Sequence, residues 1–195
     1  MPHVITITGP SRVGKSTTIR YLLACADRDF RPTLVSKYTT RSQRTDDKDD
    51  EVRCVKDIPP ECDLVYDQYG ARYGLELRTV FQCIANGQSP IVVLNDVRAV
   101  EDVRDSLGKL VRSLFIFREN PSSTDYQKEL VKSRGKEDAK PRFEKAQTIF
   151  RTYIENIHLF DHVIINSWTF GELEAQVRQI VKGLKDPNWP LRKRG

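Results

Sequence analysis

Short apolar runs and longer stretches with helical spacing alternate along this chain of 195 residues. The run at residues 90–94, Pro-Ile-Val-Val-Leu, is apolar throughout, which is typical of a parallel strand buried on both faces. Similar runs predict strands at residues 4–8, 32–38, 114–117 and 162–165. Apolar residues at helical spacing predict a helix at residues 15–26. Helices are also predicted at residues 75–86, 99–107 and 141–160, a polar helix at residues 124–134, and a last helix at residues 169–184 from its capping box.

The order of these elements predicts an α/β fold, because strands that alternate with helices build a mainly parallel sheet flanked by helices. Residues 38–73 depart from that order. They hold a polar loop at residues 41–51 and short strand signals at residues 53–56 and 63–67, without a helical pattern. The sequence therefore predicts a small β-rich insertion in the parallel core.

A glycine-rich phosphate-binding loop, or P-loop, lies between the first predicted strand and the first predicted helix. In such a loop, backbone N–H groups and the helix N-terminus hold phosphate oxygens. Lys15 is expected to bridge the β- and γ-phosphates of a nucleoside triphosphate, and Ser16 to offer its hydroxyl to Mg²⁺. Arg12 either reaches a phosphate or projects into solvent. The residues expected to bind ATP here are Gly9, Pro10, Ser11, Arg12, Val13, Gly14, Lys15, Ser16 and Thr17.

Composition and charge narrow the class of protein further. The net charge of +5 suits an enzyme that handles two phosphorylated substrates, and binding of nucleic acid ranks last because the basic residues are spread along the chain. No run approaches the roughly 20 apolar residues of a membrane helix, and the N-terminus lacks the pattern of a signal peptide. A cytoplasmic location is therefore expected. The four cysteines form no C-x-x-C pair that would indicate a structural metal site.

Several motifs follow one another in an order that resembles the guanylate kinase family over about residues 3–184. After the P-loop come Thr39-Thr40-Arg41-x-x-Arg44, Tyr73-Gly74, the run from Val92 to Val97, Arg134-Gly135, Arg142, and Val163-Ile164-Ile165-Asn166. The resemblance implies a P-loop core at residues 1–36, 74–121 and 146–195, an acceptor-binding subdomain at residues 37–73, and a helical lid at residues 122–145.

The resemblance also implies an activity, the transfer of the γ-phosphoryl group of ATP to a nucleoside monophosphate, with Mg²⁺ as cofactor. Planar, permanently charged guanidinium groups suit the spread negative charge of a transferring phosphoryl group. Asn166 is implied to lie near the donor base. The residues implied as catalytic are Lys15, Arg41, Arg134 and Arg142, and those implied in acceptor binding are Lys37, Arg41, Arg44, Tyr73 and Asp96. Asp96 is also suited to capping the helix that follows it.

The acceptor side departs from the family pattern, so the acceptor stays open between two substrate classes. Lys37 stands where the family has a serine, Leu64 near where it has a guanine-reading glutamate, and Leu75 after the Tyr-Gly pair. GMP or dGMP is expected first. The acceptor side also resembles the ribose 1,5-bisphosphate phosphokinases, and a guanylate kinase-like binding module without turnover is a third hypothesis. A monomer or a homodimer is expected.

Overall fold

The computed structural model describes residues 1–43, 51–68, 70–118, 128, 131–132, 136–167 and 169–186. In chain order the strands are β1 (Val4–Thr8), β2 (Pro32–Leu34), β3 (Lys37–Thr39), β4 (Val52–Cys54), β5 (Leu64–Gln68), β6 (Ala71–Leu75), β7 (Ser89–Val93), β8 (Val111–Arg118) and β9 (His162–Asn166). The helices of the described part are α1 (Lys15–Ala24), α2 (Leu77–Ala85), α3 (Val97–Leu107), α4 (Lys136–Glu155) and α5 (Phe170–Lys185). None of these helices has the length and apolarity needed to cross a membrane.

The larger sheet is parallel and lies between two apolar layers, as the sequence predicts. Its strand order is β2-β7-β1-β8-β9, and every neighbouring pair is parallel. Alternating side chains of β1 point to opposite faces. Val4 joins the cluster that includes Phe115 and Tyr153, whereas Ile5 and Ile7 join the cluster formed with α1 and α5. Both faces are therefore dry, which explains the uninterrupted apolar runs.

The smaller sheet has the strand order β4-β3-β6-β5 and comes from the predicted β-rich insertion. Strand β3 pairs in parallel with β4, and β6 runs antiparallel to both β3 and β5. Strand β6 was not recognised as a strand in the sequence, because a polar residue and a glycine interrupt its apolar pattern.

The single strand predicted at residues 32–38 is wrong, because the chain passes from one sheet to the other within it. Strand β2 pairs with β7 of the larger sheet, and the amide of Val35 extends that pairing by donating to the carbonyl of Ile91 at 2.9 Å. Strand β3 then belongs to the smaller sheet. Strand propensity continues across residues 35–36, so the local sequence does not show the change of partner.

The helix predicted at residues 141–160 is displaced toward the N-terminus in the structure. Helix α4 begins at Lys136, so Pro141 is its sixth residue rather than part of its first turn. It ends at Glu155, and the backbone amide and the side-chain amide of Asn156 both donate to the carbonyl of Thr152, at 3.1 and 2.8 Å.

A buried ion pair ties α3 to the larger sheet. The Arg104 guanidinium donates to Asp161 at 2.7 Å, and the same carboxylate oxygen accepts from the amide of Ser113 at 2.8 Å. Both charged side chains are only 11% exposed. Removing one partner of such a pair leaves the other charge buried without compensation.

Asp161→Ala is therefore expected to lower the free energy of unfolding by about 3–5 kcal/mol. Urea unfolding followed by circular dichroism measures the change. The matched control is Glu174→Ala, which breaks an exposed pair with Arg178 on α5. Equal losses in the two variants would contradict the structural role given to Asp161.

Candidate active site

The P-loop follows β1 and needs glycine at two of its positions. Gly9 has φ +154°, and a Cβ there would lie 2.4 Å from the carbonyl oxygen of Ile116. Gly14 has φ +101°, and a Cβ there would lie 2.7 Å from Nδ2 of Asn166. Any other residue would strain the backbone and displace the neighbour. The glycine spacing read from the sequence therefore reflects contacts with the ends of β8 and β9.

Lys15 and Ser16 lie at the start of α1, at the positive end of the helix dipole. The Lys15 ammonium donates to the carbonyls of Gly9 and Pro10, both at 2.7 Å, so it crosses the concave side of the loop. Ser16 is exposed. The structure thus brings a cation and an accessible hydroxyl together at the N-terminus of a helix, which suits polyphosphate and a hard divalent cation.

Two side chains at the ends of β8 and β9 donate hydrogen bonds to backbone carbonyls of the P-loop. The amide of Asn166, the last residue of β9, donates to the carbonyl of Val13 at 2.9 Å. The guanidinium of Arg118, the last residue of β8, donates to the carbonyl of Arg12 at 3.3 Å and is 6% exposed. Asn166 therefore supports the loop directly. Arg118 was missed in the sequence, although a charged residue ending an apolar strand is a usable signal.

The side chains that face the end of β7 come from the small sheet. Lys37 is 6% exposed, and its ammonium donates to the carbonyl of Val93 at 2.7 Å. The same nitrogen lies 5.3 Å from the centre of the Tyr73 ring, and that ring stacks on Tyr66 with centroids 5.4 Å apart. These contacts place the predicted acceptor residues Lys37 and Tyr73 together.

Burial lowers the pKa of the Lys37 ammonium to about 8, because the charged form has lost most of its hydration. The nearby Glu51 carboxylate opposes this change, whereas the positive charge of Arg41 adds to it. The ammonium is therefore charged at neutral pH and loses its proton in the mildly alkaline range.

Asn95, just beyond β7, connects three parts of the molecule. Its backbone carbonyl accepts from Nε2 of Gln68 in β5 at 2.7 Å and from the hydroxyl of Tyr153 in α4 at 2.6 Å. The side-chain oxygens of Gln68 and Asn95 are buried, and neither has a hydrogen-bond partner among the described residues. Sequence reasoning assigned Gln68 no role. Its position two residues after Tyr66 on the same face of a strand was the available signal.

The remaining predicted site residues have different outcomes. The backbone amide of Arg41 donates to the hydroxyl of Thr39 at 3.3 Å, and its guanidinium donates to the carbonyl of Ser42 at 3.0 Å. The Asp96 carboxylate accepts from the amide of Ala99 at 3.1 Å and caps α3. Arg44, Arg134 and the side chain of Arg142 lie outside the described residues, as does most of the expected lid.

The family model described as guanylate kinase matches residues 1–184 of the chain. A guanylate kinase of Prochlorococcus marinus subsp. pastoris is 31% identical over 193 residues, covering 95% of this chain and 98% of that protein. A guanylate kinase of Enterococcus faecalis is 26% identical over 171 residues, covering 84% and 80%. The crystal structure of guanylate kinase from Anaplasma phagocytophilum superposes with a TM-score of 0.67 at 16% identity over 96% of this chain and 88% of that one, a likeness in fold.

Asn166→Asp is expected to weaken ATP binding about tenfold or more, because the new carboxylate cannot donate to the carbonyl of Val13 and repels it. Isothermal titration with a non-hydrolysable ATP analogue measures the change. The matched control, Asn86→Asp, alters an exposed residue after α2. Unchanged affinity in the Asn166 variant would contradict its support of the P-loop.

Proposed function

This chain belongs to the guanylate kinase family, and on that premise we propose that it transfers the γ-phosphoryl group of ATP to GMP. The observation that carries the proposal is the adjacency of two strand ends. Strands β1 and β7 pair in parallel with Ile7 opposite Val93. The P-loop follows the first strand, and Asn95 and Asp96 follow the second. In open parallel sheets, ligands bind beyond the carboxyl ends of the strands, so both substrates fit one cleft.

On the donor side, the amides of the P-loop and the Lys15 ammonium bind the phosphates of ATP and stabilise the charge that spreads over the transferring group. We assign the hydroxyl of Ser16 to Mg²⁺, which when bound neutralises phosphate charge. The exposure of this hydroxyl and its hard oxygen fit that ion. Asn166 keeps the loop in shape through Val13.

On the acceptor side, Arg41 and Arg44 hold the phosphate of GMP, with the hydroxyl of Tyr73 beside them. By the family resemblance, we assign Arg134 and Arg142 to the donor phosphates and residues 122–145 to a lid. Asp96 fixes the start of α3 and so the chain that follows Asn95. The protein supplies position and charge, which dominate the catalysis of phosphoryl transfer. We further propose a cytoplasmic enzyme that is a monomer or a homodimer.

An assay of ADP release over a panel of acceptors tests this function. With ATP and Mg²⁺, we expect turnover with GMP and dGMP and little with AMP or ribose 1,5-bisphosphate. Turnover of the sugar bisphosphate but not of GMP would replace the proposed substrate. ATP binding without turnover of any acceptor would identify a binding module instead.

Lys15→Ala is expected to reduce kcat by at least about a thousandfold, because the transferring phosphoryl group loses its nearest cation. Lys182→Ala, at an exposed position of α5, is the matched control and should retain wild-type kcat. Circular dichroism checks that both variants fold. A folded Lys15 variant with substantial activity would contradict its role.

The pH dependence of kcat/KM for GMP reports the charge of Lys37 in the free enzyme. Because its pKa is lowered to about 8, the ammonium is charged below that pH and neutral above it. We expect kcat/KM to fall severalfold between pH 7 and pH 9. The Lys37→Arg variant keeps its charge through this range and should give a flat profile. An equal decline in both proteins would assign the titration to another group.

A further inference from the structure

One face of the small sheet gathers the side chains that oppose the end of β7. Tyr66 lies opposite Tyr73 in the β5–β6 pair, and Thr39 lies opposite Tyr73 in the β3–β6 pair. Because side chains alternate along a strand, Lys37 shares this face with Thr39, and Gln68 shares it with Tyr66. Lys37 and Gln68 both contact the end of β7. Lys37 donates to the carbonyl of Val93, and Gln68 donates to the carbonyl of Asn95 just beyond the strand.

The hydrogen bonds of this contact fix which atoms remain for a ligand. Nε2 of Gln68 donates to the carbonyl of Asn95, so the other atom of the amide, Oε1, is left without a hydrogen-bond partner among the described residues. The side-chain oxygen of Asn95 is buried and without a hydrogen-bond partner in the same region. Buried acceptors that lack a donor are unfavourable. Two such oxygens from neighbouring residues therefore indicate a site that accepts hydrogen bonds from a ligand.

We propose that the side-chain oxygens of Gln68 and Asn95 accept hydrogen bonds from N1–H and the exocyclic amine of guanine, while the Lys37 ammonium donates to O6. This assignment rests on the proposed function, and it gives the chain a guanine-reading set of its own. The two amide oxygens take the role of the guanine-reading glutamate of the family, near whose position this chain has Leu64. Lysine takes the place of the family serine.

The polarity of this set discriminates between the purines. Guanine presents acceptors at O6 and N7, where a lysine binds well, and a donor at N2. Adenine shares the acceptor at N7, but it presents a donor at N6 in place of O6, which an ammonium repels, and it has no N2 amine. The stacked pair Tyr66 and Tyr73 adds an aromatic wall. Lys37 and Gln68 keep their hydrogen bonds to Val93 and Asn95 when the base binds, so the base meets the remaining hydrogens of the ammonium and the two amide oxygens.

Asn95→Ala is the clean test, because it removes the side-chain oxygen and keeps the backbone carbonyl that binds Gln68 and Tyr153. Affinities for GMP, IMP and AMP are measured by isothermal titration, and KM values by ADP release. IMP lacks only the N2 amine. The wild type is expected to prefer GMP over IMP by at least about tenfold. In Asn95→Ala or Gln68→Met that preference should shrink about tenfold or be lost.

Asn95→Asp keeps an oxygen at the same place and should preserve the preference for GMP, which a purely structural role of Asn95 does not predict. Asn86→Ala, at an exposed position, should match the wild type. Wild-type binding of GMP with an unchanged GMP-to-IMP ratio in both Asn95→Ala and Gln68→Met would overturn this inference alone. A wild type that neither binds nor phosphorylates GMP would overturn the proposed function as well.

Discussion

The carbonyl oxygens at the end of β7 need hydrogen-bond donors from the protein, and the residues that supply these donors determine how the active-site cleft is assembled. Buried backbone carbonyls require donors. Val93 receives one from Lys37, and Asn95 receives two, from Gln68 and Tyr153. Two of these donors belong to the small sheet and one to α4. The same few hydrogen bonds therefore hold the small sheet and a helix against the parallel core.

This constraint places the two halves of the proposed reaction next to each other. Strand β7 pairs with β1, and β1 leads into the P-loop. The loop is in turn held by Asn166 and Arg118 at the ends of the other two neighbouring strands. The donor residues thus follow β1, and the acceptor residues of the small sheet contact the end of the adjacent strand β7, which is the positioning that phosphoryl transfer needs.

The sequence predicted those features that depend on local pattern. The P-loop, the buried strands and the parallel core could be read because a glycine spacing and apolar runs identify them within a few residues. Lys37 and Tyr73 were expected on the acceptor side through a family resemblance, and the structure brings them together. The cap formed by Asp96 was also expected from its position before a helix.

The features that the sequence did not predict depend on contacts between residues far apart in the chain. The passage between sheets after β2 is decided by pairing with β7, more than fifty residues later. Gln68 belongs to the candidate site because its amide contacts Asn95, and Arg118 because its guanidinium contacts the P-loop. Spacing in a sequence shows which residues share a face, but it does not show what that face meets.

A crystal structure of the protein with GMP would show directly which residues bind the base. We expect guanine beside the Tyr66–Tyr73 pair, with its N1–H and N2 groups at the oxygens of Gln68 and Asn95 and its O6 atom at Lys37, at hydrogen-bond distances of about 2.7–3.2 Å. A base bound elsewhere, or one whose donors face solvent while those two oxygens remain unpaired, would contradict it.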